Sequence, residues 1–179
     1  LLHRSAQVQF WMQGTEVEAL RERGLLRAVL DSLVRRTVQR TPAGSVDRSR
    51  GILPIEHDYF GAPPNVDGDG RTDVLLLDIE DRFEQTGSYV AGFFDPNDLT
   101  TNEHSNRRDL LYVDTRPTML RGENGEEIHL QQAAATIAHE YQHLIHARYE
   151  GEPRERTFVN EGVSEFAEIL CGFSPRPAR

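Results

Sequence analysis

Ala138-His139-Glu140-Tyr141-Gln142-His143 lies inside an apolar-periodic run from Leu130 to Tyr149. Ala134, Ile137, Ala138, Tyr141, Leu144 and Ile145 recur at helical spacing, which predicts a helix with a buried stripe. Residues four apart share a helix face, so His139 and His143 point the same way. Two imidazoles at that spacing can hold one metal ion, and Glu140 stands beside them as a candidate base. Alone, the hexapeptide is modest evidence, and the alternative is a surface helix whose histidines are solvated. His146 is read as a neighbour of the site or a surface residue. One helix does not easily present three histidines to one ion at these offsets.

A second segment changes the balance. Asn160-Glu161-Gly162-Val163-Ser164-Glu165-Phe166-Ala167-Glu168 also has helical spacing. Catalytic zinc needs a third protein ligand and an open position, and Glu161 can supply a carboxylate oxygen from this second helix. Glu165, one turn on, is the candidate to accept the other ring N–H of a ligating histidine. The competing assignment makes Glu165 the third ligand and leaves Glu161 solvated. Glu168 extends the acidic face and reads as solvated.

Working outward, Thr15 to about Gln39 predicts one long amphipathic helix, with Thr15 and Glu18 as a capping box. Val8 to Met12, Asp73 to Ile79, Tyr89 to Phe94 and Leu110 to Val113 read as strands. Residues 41–66 read as loop interrupted by Ile52 to Ile55, and a turn is expected at Gly122-Glu123-Asn124-Gly125. The expected fold class is α+β and zincin-like. A small twisted mixed sheet packs on the active-site helix, and a second helix carries the remaining ligand. Residues 1–50 are expected to form a strand and amphipathic helix packed on a catalytic domain at 51–179.

Asn65-Val-Asp67-Gly-Asp69-Gly-Arg71-Thr-Asp73 places oxygen ligands at alternate positions, with the Arg71 carbonyl among them, as calcium prefers. The twelfth position is Leu76, not Glu, so this is no EF-hand and is closer to the shorter Asp-x-Asp-x-Asp-Gly-x-x-Asp loops. An Asp/Gly-rich turn that binds no ion is the alternative.

The His139 motif and the Asn160–Glu165 segment together resemble the gluzincin metallopeptidases, and within them the chain is most similar to the hyicolysin family. The fragments that carry the likeness are Asn65 to Asp73, Gly87 to Pro96, Leu110 to Asp114, the His139 motif and Asn160 to Glu165. They span roughly residues 58–172 and leave the first 50 poorly matched. The resemblance implies zinc held by His139, His143 and Glu161. It also implies Glu140 as general base, Glu165 as the orienting carboxylate, a peptide or protein substrate, and secretion. The alternative is a non-catalytic, calcium-stabilised binding domain that keeps the fold.

Bulk properties set limits. The chain has 179 residues, a net charge of −9, and twenty basic residues that are all arginine. An acidic balance argues against sequence-independent nucleic-acid binding. No apolar run reaches the length of a membrane span. The single cysteine, Cys171, excludes an internal disulfide framework and reads as a small buried residue. The chain opens on Leu-Leu-His and closes on Ser-Pro-Arg-Pro-Ala-Arg, so a longer parent protein is expected.

Overall fold

The computed structural model describes residues 1–122, 125–151 and 156–173, apart from the Glu84 side chain. The expected turn at Gly122–Gly125 and the C-terminal Ser-Pro-Arg-Pro-Ala-Arg fall wholly or partly outside these residues. The elements in chain order are β1 (His3–Arg4), β2 (Val8–Met12), α1 (Gly14–Glu22), α2 (Leu26–Val38), α3 (Ile52–Phe60) and β3 (Thr72–Leu77). They continue with α4 (Phe83–Thr86), β4 (Gly92–Phe94), a 3-10 turn at Pro96–Leu99, β5 (Leu110–Asp114), β6 (Leu120–Arg121), β7 (Glu127–Ile128), α5 (Leu130–Tyr149) and α6 (Thr157–Leu170). The fold is α+β with a small mixed sheet. None of the described helices is long and apolar enough to cross a membrane.

The main sheet runs β1-β2-β3-β5-β4. β2, β3 and β5 are parallel, while β1 and β4 pair antiparallel at the two edges. Parallel strands need cover on their faces. The register lines up Phe10, Val74 and Leu111 in one row and Met12, Leu76 and Val113 in the next. Phe10, Val74, Leu76, Leu111 and Val113 are fully buried and join α5 in one core. α5 supplies Ala133, Ala134, Ala135, Ile137, Ala138, Tyr141, Leu144 and Ile145 to that core. The alanines lower the helix surface so that it sits close to the strands.

Three expectations need correction. The helix predicted from Thr15 to Gln39 is two helices, because Gly24 takes the left-handed conformation at φ 67°. Leu25 N–H then reaches the Leu20 carbonyl and Gly24 N–H the Arg21 carbonyl, a Schellman stop. The Thr15–Glu18 capping box is not formed; α1 begins at Gly14, with Gln13 at the cap and no side-chain cap bond. The apolar interruption near Ile52 is a full helix, α3, with Pro54 in the first turn where no N–H is required.

The strand expected from Tyr89 to Phe94 is paired only at Gly92–Phe94. Among the described residues no strand pairs with its other side, so β4 is a sheet edge. Gly92 allows β4 to lie against α5: a Cβ there would stand 2.5 Å from the Thr136 methyl and 3.5 Å from Glu140 Cγ.

Candidate metal centre

α5 carries His139, Glu140 and His143 on one side, and α6 runs antiparallel along it. The direction follows from the contacts. Asn160 meets His143, whereas Glu168, two turns later, meets His139 one turn earlier on α5. Glu161 lies between them. Its carboxylate is 3.3 Å from His139 Nε2 and 3.7 Å from His143 Nε2. One ligand atom from each of the three residues falls within 4.8 Å of the other two, and this is the one such group of His, Cys, Asp and Glu found among the described residues.

Donors around a tetrahedral zinc ion with bonds of about 2.0–2.1 Å are separated by roughly 3.3 Å. The Glu161-to-His139 distance of 3.3 Å equals that spacing, and the Glu161-to-His143 distance of 3.7 Å is somewhat longer. The outer ring nitrogens are also held. His139 Nδ1 lies 2.8 Å from Glu168 Oε1, and His143 Nδ1 lies 3.0 Å from Asn160 Oδ1. Both partners are acceptors, so the network assigns the proton to each Nδ1. Each Nε2 lone pair is then free to face Glu161. The Ser164 hydroxyl bonds to the Gln142 side chain and sits 3.1 Å from His143 Nδ1, closing that side. This donor set and these outer contacts fit a zinc ion.

Electrostatics separate the two imidazoles. Burial favours neutral His139, but the Glu168 hydrogen bond and the charges of Glu140, Glu168 and Glu161 outweigh it. They hold its pKa above the ordinary 6.5. Burial, and then the neighbouring His139, push His143 below 6.5 against the opposing pull of Asn160 and Glu161. Of the two imidazoles, His139 is therefore the one whose proton competes with a metal ion to the higher pH.

These side chains border a cavity of about 530 Å³, lined by Val90 to Phe94 on one wall and by Glu161 and Glu165 of α6 on the other. Glu140 is 6% exposed and lies on its floor. A larger cleft of about 1000 Å³ lies beyond Tyr89, between the Asp78–Phe83 segment and Arg116, and holds none of the predicted site residues.

Over 96 residues, 54% of its length, the chain is 43% identical to the neutral metalloprotease ShpI of Staphylococcus hyicus. The chain is related to a metalloprotease. The matched stretch is 22% of that protein's length, so most of the relative has no counterpart here. No family model matches the chain.

The structure brings His139, His143 and Glu161 together with Glu140 beside them, and it redistributes the outer roles. The carboxylate against His139 is Glu168, which is 2% exposed and not solvated. Glu165, expected in that place, is exposed at the cavity rim. Helical phase explains the exchange. Glu168 is seven positions from Glu161 and returns to within about 20° of it, whereas Glu165 sits about 40° to the far side of Glu161 from Ser164 and Asn160. His146 does not line the cavity. Asn160, Ser164 and Glu168 become legible as partners once the two helices are known to be antiparallel.

The Asn65–Asp73 loop is a separate feature. Asn65 Oδ1 accepts from Gly70 N, Asp67 from Asp69 N, and Asp69 from Arg71 N. Asp69 also meets Gln9, and Asp73 accepts from Trp11 Nε1 and Arg108. Asp109, which sequence reading passed over, anchors the loop by accepting from Asn65 N and Val66 N. Burial pushes its pKa up to about 6, against the pull of those two amides and with Asp67 and Asp69 adding to the rise.

Proposed function

We propose that this chain carries the catalytic centre of a zinc-dependent endopeptidase of gluzincin type, resembling the hyicolysin family and acting outside the cell. The observation that carries the reading is the convergence of both Nε2 atoms on Glu161 while Glu168 and Asn160 hold the Nδ1 atoms. His139, His143 and Glu161 would hold the ion. A zinc ion there supplies Lewis acidity toward the scissile carbonyl and toward water.

The protein residues do the rest. Glu140 takes a proton from the attacking water on its carboxylate and passes it to the departing amine. This residue is 6% exposed, at the inner surface of the cavity. The open edge of β4 lies on the cavity wall, and an extended peptide adds to it through main-chain hydrogen bonds. Phe93, on this strand, stacks on Tyr112 at 4.4 Å between ring centroids and stiffens the edge. Among the described cavity residues there is no Tyr, Arg or third His to serve as an oxyanion donor.

The test is direct. Purified protein should bind zinc and cleave peptides in a chelator-sensitive way. Glu140→Gln should keep zinc and lose about 10²–10⁴-fold in kcat. Zinc bound with no cleavage across a peptide library would favour the non-catalytic binding domain instead.

Calcium at Asn65, Asp67, Asp69, the Arg71 carbonyl and Asp73 is a second proposal. What supports it is the alternation of oxygen-bearing residues along the loop, which the Gly70 amide closes onto Asn65. Asp73 would have to release Arg108 to join them. Calcium should raise the melting temperature of the wild type and not of Asp67→Asn; equal shifts would remove the proposal.

A further inference from the structure

We infer that Glu165 selects a cationic side chain in the substrate, next to the scissile bond; this rests on the peptidase reading above. Four carboxylates border the metal cavity, and three have work within it. Glu140 sits at the reaction point, Glu161 faces both Nε2 atoms, and Glu168 holds His139. Glu165 does none of these. It is exposed at the rim, and its carboxylate makes no hydrogen bond or ion pair with the described residues.

Its position gives it a target. β4 and α6 both pack on α5, and the cavity lies between them. A peptide added to β4 alternates its side chains across the strand plane, so every second side chain near the scissile bond points to the face on which α5 and α6 lie. The described cavity lining contains no arginine to neutralise Glu165. A lysine or arginine of the substrate is the complementary group, and an acidic one is repelled. The net charge of −9 works in the same direction by drawing cationic peptides to the protein.

Matched peptides that differ only in Arg, Gln or Glu at each position flanking the scissile bond test this, using the full zinc-loaded chain. Wild type should favour Arg over Gln at one of these positions by roughly fivefold in kcat/KM. Glu165→Gln should bring that ratio to about one, and Glu165→Arg should invert it toward Glu. Fluorescence anisotropy of uncleaved peptides on Glu140→Gln and on the Glu140→Gln/Glu165→Gln double variant should show the same loss in binding. Zinc affinity should be equal in wild type and Glu165→Gln. An Arg-to-Gln ratio that survives Glu165→Gln overturns the inference while leaving the peptidase reading intact. So does a fall in zinc affinity, which would make Glu165 a support of the metal ligands. Zinc-loaded protein that neither binds nor cleaves any of the peptides overturns the peptidase reading itself.

Discussion

Replacing Glu168 by Gln isolates the charge that stands behind His139. The two side chains have the same shape, and the amide oxygen can still accept from Nδ1, so what is lost is the negative charge 2.8 Å away. Glu168 is 2% exposed, and solvent screens that charge little. Loss of a ligand-orienting partner typically costs 10–100-fold in metal affinity, about 1.4–2.7 kcal/mol. The zinc affinity of Glu168→Gln, measured by competition with a chelating dye at pH 8, should fall within that range.

The pH dependence supplies a second readout. In the metal-free protein His139 holds its proton to above pH 6.5, chiefly because Glu168 and the nearby carboxylates overcome its burial. Zinc must displace that proton, so wild-type affinity drops as pH falls through the raised pKa. The Gln variant titrates lower and meets less proton competition. The two affinity curves should therefore be farthest apart at high pH and converge on acidification. Unchanged affinity at pH 8, or a loss that appears in Glu165→Gln instead, would refute the assignment of Glu168 to His139.

Gly92→Ala should force β4 off α5, because the added Cβ meets the Thr136 methyl at 2.5 Å and the Tyr112 carbonyl at 2.6 Å. Overpacking of this kind costs about 1–3 kcal/mol, so thermal unfolding should shift down and peptide cleavage should fall with it. Asp109 predicts a pH effect of defined sign. Its pKa rises from 3.8 to about 6 on folding, so the stability it contributes is full below 3.8 and is lost as pH rises through about 6. Asp109→Asn should flatten that decline in melting temperature; an unaltered slope would assign it to other groups.

Much of the site was legible because helical spacing is a local property. The bounds of α5 and the shared face of His139 and His143 follow from the 3.6-residue period of one segment. Glu161 required a guess about a second helix, and the order of the motifs made that guess possible. The partners of the ring nitrogens were not legible, since they depend on the antiparallel offset between α5 and α6, a tertiary quantity. That offset selects Glu168 over Glu165. The same limit applies to the sheet. The apolar run in β3 announced a buried strand, but its position between β2 and β5 is a long-range pairing. Gly24 failed for a different reason: a glycine inside a periodic run is compatible with a continuous helix or with a Schellman stop, and only the backbone distinguishes them.

The central claim is that His139, His143 and Glu161 together hold a zinc ion. It is tested most directly by elemental analysis of protein dialysed against a weak chelator, for wild type, Glu161→Ala and Glu165→Ala. Wild type and Glu165→Ala should each retain one zinc ion per chain, and Glu161→Ala should lose it. A wild type without zinc, or a Glu161→Ala variant that holds it as tightly, would contradict the claim.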